Sequence, residues 1–226
     1  LRDDENTKCW DDSIWQEMVQ LGWSGILVPE EFGGSDFGIA GISVIMQELG
    51  KTLTPSPILA TSVLGVSTIN LLGSKEQKEK YLPKIVSGDV TTALAIDEGN
   101  HHSPLDIEAT AILKGDKWSL NGQKVFIIDG ASADYILIVA RTSGKKGDSN
   151  GLSVFVSEKN SEGLEISKIS TADCRNYSNL KMNNLVLEGN ALLGEVDTAG
   201  EIIEKVLDLG RIAMASEMLG NTEEAF

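Results

Sequence analysis

The sequence predicts an α+β fold in three parts: an all-helical N-terminal domain, an antiparallel β-barrel or sandwich, and one final helix. The prediction follows from the spacing of apolar residues. They recur with the helical period of 3.6 over the first 90 residues, with a period of 2 after that, and with the helical period again from Ala199. We therefore expect domain boundaries at 1–90, 91–197 and 198–226.

The first part contains four predicted helices. They begin after Asp11-Asp12, at Ile39, at Ile58 and after Ser74, and the first three end near Gly22, Lys51 and Gly73. The helix from Ile58 is apolar on nearly all sides, so we expect it to be buried. Ser74 and Gln77 have the spacing of a capping box, in which each side chain accepts a hydrogen bond from the other residue's backbone N–H. Pro83 is expected to break or restart the fourth helix.

The second part contains seven or so short predicted strands, separated by turn signals at regular spacing. That pattern is typical of an antiparallel barrel or sandwich. Turns are expected at Lys114–Lys117 and at Asn121-Gly122. The run from Tyr135 to Ala140 is almost continuously apolar, which favours a central strand. The candidate strands are 91–96, 107–113, 118–120, 125–128, 135–140, 152–156, 164–169 and 180–187.

The final helix has a wide apolar face that must be buried. Its members are Ile202, Ile203, Val206, Leu209, Ile212, Ala213, Ala215, Met218 and Leu219. We expect a following domain outside this chain to cover the face, with the N-terminal helices as the alternative. Gly210 and Gly220 would permit a close helix approach.

The composition excludes several classes of protein. The 226 residues carry 19 Lys and Arg against 34 Asp and Glu, a net charge of −15. That charge argues against nucleic-acid binding and against electrostatic attachment to a membrane surface. No apolar run reaches the length of a membrane span, and we expect no signal peptide. Cys9 and Cys174 are expected to be unpaired thiols, and we expect no metal site and a cytoplasmic location.

Six motifs in a fixed order resemble the acyl-CoA dehydrogenase family. The longest, residues 21–34, resembles the helix-to-loop segment of the family that ends in Pro-Glu-Glu-aromatic-Gly-Gly. Residues 120–127 (Leu-Asn-Gly-Gln-Lys-Val-Phe-Ile) resemble the family's Asn-Gly-x-Lys-x-Trp-Ile strand. The others are Glu48-Leu49-Gly50, the spaced set from Gly73 to Gly88, Ala191-Leu192-Leu193-Gly194, and Arg211 with Gly220.

The resemblance implies a helical domain, a β-domain and a C-terminal helical bundle. This chain would contain the first two and the opening helix of the third, and is expected to be a fragment or a natural truncation. The implied reaction is α,β-dehydrogenation of an acyl-CoA thioester, with hydride transfer to FAD. The implied partners are an acyl-CoA substrate, an electron-transferring flavoprotein, and further subunits of a homo- or hetero-oligomer.

The resemblance also places the flavin between two strands. One normally ends in Thr-Glu-Pro, where this chain has Ile96-Asp97-Glu98 or, with a one-residue gap, Asp97-Glu98 in place of Thr-Glu. The other normally ends in Trp-Ile-Thr or Trp-Ile-Ser, where this chain has Phe126-Ile127-Ile128. Both flavin-binding hydroxyls are therefore missing, and we expect weak FAD binding through backbone atoms. The implied cofactor-binding residues are Ala93, Ala95, Ile96, Asp97, His102, Phe126, Ile127 and Ile128.

No catalytic base is expected in this chain. Most of the family carries a Glu on the C-terminal bundle, and a minority carries one directly before an Arg on the opening helix. Gly210 precedes Arg211 here and cannot act as a base. Glu217 is expected to be a solvated or inter-helix carboxylate, and His102 part of an exposed loop rather than a donor to phosphate or CoA.

Three functions remain open at this point. The leading one is an acyl-CoA dehydrogenase-like flavoprotein, or one subunit of such an enzyme. The alternative is a non-catalytic family subunit with a degenerate flavin site that pairs with an active homologue. A third is a relative that passes electrons to oxygen, as an oxidase or flavin monooxygenase.

Overall fold

The computed structural model describes residues 8–173 and 175–226, and Cys174 lies outside them. Five α-helices are described, with a π-helical segment, Ile58–Gly65, joined end to end with the third. Short 3₁₀ turns occur at Glu30–Phe32 and Gly189–Ala191. The α-helices are α1 (Asp12–Gln20), α2 (Gly38–Thr52), α3 (Val66–Leu72), α4 (Lys75–Val86) and α5 (Ala199–Ala225).

The predicted start of α4 is confirmed, and its predicted interruption is wrong. The Gln77 N–H donates to Ser74 Oγ at 3.3 Å, and the Ser74 N–H donates to Gln77 Oε1 at 2.9 Å. Pro83 lies inside a continuous helix. The neighbouring Leu82 and Ile85 are fully buried, so tertiary packing outweighs the one backbone hydrogen bond that Pro cannot donate.

Within the described residues, eight strands form one sheet. Their order is β6-β7-β3-β2-β4-β5-β8, and β1 pairs with β4 outside this path. The strands are β1 (Thr92–Ala95), β2 (Thr110–Lys114), β3 (Lys117–Ile128), β4 (Tyr135–Arg141), β5 (Leu152–Glu158), β6 (Leu164–Ile169), β7 (Tyr177–Glu188) and β8 (Leu192–Leu193). The central position of β4 is confirmed, since it pairs with β1, β2 and β5.

Two details of the predicted sheet are wrong. It is not wholly antiparallel, because β4 pairs in parallel with both β1 and β2. Asn121-Gly122 is not a turn but part of β3, where the pairing with β7 shifts by one residue. Gly122 has φ +137°, and a Cβ there would lie 2.6 Å from Ala109 Cβ. The glycine therefore permits a close backbone approach rather than a chain reversal.

The final helix packs within this chain along one side of its apolar face, and there the N-terminal helices, the alternative cover, contribute to the packing. Ile203, Val206 and Ala213 are buried. A Cβ on Gly220 would lie 1.8 Å from the Gln47 carbonyl oxygen, so α5 and α2 meet backbone to backbone. A second face remains exposed, with Ile212, Met218 and Leu219 exposed by 45%, 64% and 52%.

The buried apolar residues form two clusters. The larger lies between the sheet and α3, α4 and the first half of α5. The smaller joins α1, α2 and the π-helical segment, and Ala213 of α5 closes it. Among the described residues, no helix combines the length and apolarity needed to cross a bilayer. The end of β3 lies where these two clusters meet, since Ile127 belongs to the first and Ile128 packs against the second.

Candidate functional site

The ends of β1 and β3, predicted as the two flavin-binding segments, lie side by side. The Val125 N–H donates to the Asp97 carbonyl at 2.8 Å. Lys124 Nζ donates to the Ile96 carbonyl, also at 2.8 Å. The fold therefore brings together two segments that are about 30 residues apart in the sequence.

Lys124 is the group that fixes this junction, although it is not among the site residues that the sequence predicts. Its side chain is fully buried and forms an ion pair with Glu98 at 2.7 Å. The Glu98 carboxylate also accepts from the N–H groups of Glu108 at 2.7 Å and Ala109 at 3.0 Å. Burial lowers the pKa of Lys124 to about 8, against the opposing charge of Glu98. Its place in the Asn-Gly-x-Lys string is the signal that could have identified it.

Phe126 presents an aromatic surface at the end of β3. It has φ +52° and lies in a bulge between Lys124 and Ile127. Its side chain is 57% exposed, and its ring meets Tyr177 edge to face with centroids 6.3 Å apart. Its N–H donates to Asn179 Oδ1 at 3.3 Å. A bulge re-aims a side chain out of the sheet, so the ring is open to a planar ligand.

Most of the other predicted contacts are buried inside the protein. Ala93 and Ala95 have no exposed surface and pair with Ile136 and Ile138 in the β1–β4 ladder. Ile96 and Ile127 are 6% and 2% exposed. Only backbone atoms of these residues could meet a cofactor, and their role stays a prediction.

His102 lies at the surface, on the loop after β1. Its Nδ1 is 2.8 Å from Asp97 Oδ2, and Asp97 Oδ1 accepts from the Ser103 N–H at 3.0 Å. The carboxylate therefore orders the loop, and the imidazole is held at its rim. A role of His102 in cofactor binding stays a prediction.

The residues present fit FAD in part. An exposed aromatic ring lies next to two adjoining strand ends, which suits a flat ring system. The side chains of Ile96 and Ile128 offer no hydrogen bond, so polar contacts would come from the backbone. In the described ranges, no three His, Cys, Asp or Glu side chains lie together as a metal site would require.

A cavity of about 40 Å³ lies beyond Ile128, between the end of β3 and α5. That is room for a few water molecules or a group of similar size. One wall is apolar and the other is charged. Its lining is Lys8, Cys9, Trp10, Met46, Leu49, Thr54, Pro55, Ser56, Leu59, Ile128, Asp129, Arg175, Asn176 and Glu217.

Glu217 lines this cavity. The prediction that it is a solvated or inter-helix carboxylate is wrong. The residue is 9% exposed, and its carboxylate forms an ion pair with Arg175 Nη2. Arg175 belongs to the connection between β6 and β7. The pair therefore links the sheet to α5, a contact that no local spacing in the sequence indicates.

Asp129 follows β3 directly and is 7% exposed. Its backbone is left-handed, with φ +57°, and its N–H donates to the Asn176 carbonyl at 2.7 Å. Burial raises the pKa of the Asp129 carboxyl to about 8, with the Arg175 charge opposing the shift. Among residues 8–173 and 175–226, no side chain or backbone group hydrogen-bonds this carboxyl.

The position before Arg211 contributes to packing and not to proton transfer. A Cβ on Gly210 would lie 2.8 Å from Leu64 Cδ2, so this face of α5 packs on the π-helical segment. Arg211 points to the surface, where it pairs with Asp208 and Glu204. No carboxylate stands at position 210.

Two family models match this chain. Residues 2–89 match the model described as acyl-CoA dehydrogenase, N-terminal domain, and residues 93–188 match acyl-CoA dehydrogenase, middle domain. The two matched ranges coincide with the helical part and the sheet.

Three similar proteins illustrate the likeness. The short-chain-specific acyl-CoA dehydrogenase of Clostridium acetobutylicum is 31% identical, over 93% of this chain and 57% of its own length. The caffeyl-CoA reductase-Etf complex subunit CarC of Acetobacterium woodii is 30% identical, over 94% and 57%. The solved butyryl-CoA dehydrogenase of Megasphaera elsdenii superposes with a TM-score of 0.86 at 27% identity, over 96% and 59%. The chain thus spans less than two thirds of the length of each.

Proposed function

The chain belongs to the acyl-CoA dehydrogenase family, and we propose that it supplies the helical N-terminal and β portions of an FAD-dependent oxidoreductase. The proposed reaction is α,β-dehydrogenation of an acyl-CoA thioester, carried out by an enzyme of which this chain is a part or a subunit. We assign it to fatty acid metabolism in the cytoplasm.

One observation carries the proposal. The Ile96–Asp97 strand end and the Phe126–Ile128 strand end adjoin through two 2.8 Å hydrogen bonds. They leave the Phe126 ring 57% exposed beside them. This arrangement offers one flat apolar surface beside two adjoining strand ends, which suits a cofactor with a planar ring system.

Bound FAD would supply the hydride acceptor for the acyl β-carbon. The work of this chain's residues would be to hold and orient the cofactor, with Phe126 against the ring. The Lys124–Glu98 pair would hold the two strand ends in register. The α-proton must pass to a base, and Gly210 does not provide one. We therefore propose that the base lies in the part of the enzyme that this chain does not supply.

The direction of the reaction and its electron partner are proposals as well. The relatives in hand include both a dehydrogenase and a reductase by name, and the reductase is a subunit of a complex with Etf. We propose the dehydrogenase direction, with electron-transferring flavoprotein as the acceptor. The exposed face of α5 at Ile212, Met218 and Leu219 supports a homo- or hetero-oligomer, because a surface of that kind marks an interaction site.

The second candidate is a non-catalytic subunit that pairs with an active homologue. It is favoured by Ile96 and Ile128, which lack the flavin-binding hydroxyls, and by Gly210 in place of a base. The two candidates differ in flavin binding. The dehydrogenase requires a saturable FAD site on this chain, and a purely structural subunit does not.

Titration of the purified chain with FAD, followed by the change in flavin fluorescence, tests the proposal. We expect weak, saturable 1:1 binding that Phe126→Ala weakens further and that the exposed-strand control Ile112→Ala leaves unchanged. Absence of binding, or binding that Phe126→Ala does not alter, would favour the structural subunit. A parallel assay with acyl-CoAs and an artificial electron acceptor should show no turnover by this chain alone.

A further inference from the structure

Arg141, the last residue of β4, is a buried cation surrounded by backbone carbonyls. The residue is 7% exposed, and none of the ion pairs formed within residues 8–173 and 175–226 includes it. Its guanidinium carries five N–H groups, and these donate to five carbonyl oxygens at 3.0 to 3.3 Å. The acceptors belong to Leu105, Ile107, Ser143, Asp148 and Asn150. A buried charge requires polar partners in place of water, and here the backbone supplies them.

The five carbonyls belong to two loops. Residues 98–109, which we call the rim loop, run from the predicted flavin segment at the end of β1 to β2, and they supply Leu105 and Ile107. Residues 142–151 connect β4 with β5 and supply the other three. The two loops also meet directly, since the Gly147 N–H donates to the Leu105 carbonyl at 3.1 Å. One guanidinium therefore fixes both loops to the end of a central strand.

The rim loop is tied to the candidate cofactor site at its other end. The Glu98 carboxylate accepts from the two N–H groups that directly follow Ile107 in the chain. It also pairs with Lys124, whose Nζ donates to the Ile96 carbonyl. Burial lowers the pKa of Lys124, and the positive charge of Arg141 acts in the same direction. Arg141 is thus coupled to the strand-end junction through the rim loop and through its charge.

We propose that Arg141 is a positioning residue for the cofactor site and acts through the rim loop. It holds the loop, the loop holds Glu98, and Glu98 with Lys124 holds the strand ends in place. Because the side chains of Ile96 and Ile128 offer no hydrogen bond, polar contacts to the flavin come from the backbone, whose position this chain of contacts sets. The inference rests on the proposed function, since it takes FAD to lie at these strand ends.

The arrangement requires the shape of a guanidinium and not only its charge. Lys has three N–H donors on one nitrogen, whereas Arg has five in a planar fork. Arg141→Lys therefore keeps the charge and leaves at least two of the five carbonyls without this donor. Arg211→Lys is the matched control, because the Arg211 side chain is 51% exposed on α5 and pairs with Glu204 and Asp208.

Titration of the full chain with FAD, combined with hydrogen exchange, tests the proposal. In Arg141→Lys we expect about tenfold weaker FAD binding, the effect of one or two misplaced hydrogen bonds. The N–H groups of the rim loop and of Gly147 should exchange faster. Strand amides from Ile136 to Ala140 should keep their protection, because the variant loosens the loops and not the ladder. Arg211→Lys should change neither the affinity nor the exchange.

A rescue experiment separates positioning from a general loss of folding. Arg141→Ala leaves space for ethylguanidinium, which contains the atoms of the missing side chain beyond Cβ. Added ethylguanidinium should restore both the FAD affinity and the slow exchange of the rim loop. Ethylammonium at the same concentration should restore neither, since it lacks the planar fork. Arg141→Lys carries the test alone if Arg141→Ala does not fold.

The outcomes separate this inference from the function on which it rests. Unchanged FAD affinity in Arg141→Lys, in a chain whose FAD binding still depends on Phe126, would overturn the inference and leave the proposed function in place. Equal rescue by ethylammonium would show that a charge is sufficient and would also overturn it. No saturable FAD binding by unsubstituted chain that circular dichroism shows to be folded would overturn both.

Discussion

The α2–α5 contact and the β1–β3 junction hold the same molecule together by different means. Between the helices, a Cβ on Gly50 would lie 2.1 Å from the Glu217 carbonyl oxygen. The close packing of α2 on α5 therefore depends on a residue without a side chain. At the strand ends, Lys124 supplies a charge at 0% side-chain exposure, and the match depends on polar partners. A larger residue would disrupt the helix contact by steric overlap. Loss of Lys124 would disrupt the strand junction by leaving buried polar groups without hydrogen-bond partners.

The difference shows where function can change. A steric contact is indifferent to pH and ligands, and it keeps α5 in place against the helical part. A buried polar contact responds to protonation and to nearby charge, and both buried polar groups with strongly shifted pKa values, Lys124 and Asp129, flank the end of β3. The candidate site thus lies at the end of β3, beside Lys124 and Asp129, which we call the responsive region. The α2–α5 contact supports it and does not respond to pH.

Removing the charge at the strand-end junction should have the largest effect. Lys124→Met leaves the Ile96 carbonyl without its donor and Glu98 without its cation, and breaking a buried pair in this way costs about 3–5 kcal/mol. Urea unfolding should show that loss. Lys117→Met removes the surface pair of Lys117 with Glu188, in which the two side chains are 48% and 64% exposed. The control should cost about 1 kcal/mol or less, and equal losses would contradict the assigned role of Lys124.

The second prediction concerns the pH dependence of the responsive region. The Asp129 carboxyl has a pKa of about 8 in the folded chain against 3.8 as its ordinary value. Between these values the folded state holds a proton that the unfolded state has lost, so this residue makes stability fall as the pH rises from about 4 to 8. The slope is at most about 1.4 kcal/mol per pH unit.

Asp129→Asn removes this titration. The stability of the variant relative to the unsubstituted chain should therefore increase steadily from pH 4 to pH 8. Above pH 8 the lowered pKa of Lys124 acts in the opposite direction, so the comparison is made below it. A difference that stays constant with pH would show that Asp129 is not protonated in the folded chain.

The third prediction tests the steric contact. Gly220→Ala places a Cβ against backbone that cannot give way, and overpacking of that kind costs about 1–3 kcal/mol. Gly210→Ala is the matched control on the same helix, because its Cβ would meet only the end of the Leu64 side chain, at 2.8 Å. There the helix preference of Ala, about 1 kcal/mol over Gly, should offset the contact. Thermal unfolding that ranks Gly220→Ala as the more stable variant would contradict the close contact.

Local patterns in the sequence were sufficient for most elements, and contacts between distant residues were not. The capping box of Ser74 and Gln77, the buried segment from Ile58 and the strand from Tyr135 follow from period and turn chemistry, which are local. The Arg175–Glu217 pair joins residues 42 positions apart, and Asp129 lines the same cavity as Glu217 of α5. Both require the tertiary fold. The predicted break of α4 at Pro83 is wrong for the same reason, since burial of the neighbouring residues outweighs the local preference of proline for helix ends.

The smallest expected effect concerns the flavin itself. Ile128 pairs with Tyr177 in the β3–β7 ladder and borders the cavity. If the flavin lies beside it, Ile128→Thr supplies the hydroxyl that the resemblance to the family implies at this position. One net hydrogen bond contributes about 1 kcal/mol, which corresponds to roughly fivefold tighter FAD binding.

Ile112→Thr makes the same substitution on the exposed face of β2 and should leave the dissociation constant unchanged. Because the side chain of Ile128 is itself partly buried, a lower unfolding temperature of the variant is compatible with tighter binding, and the two are measured separately. Equal or weaker affinity in Ile128→Thr would mean that the flavin does not lie against this strand end, and the assignment of the responsive region as the cofactor site would fail.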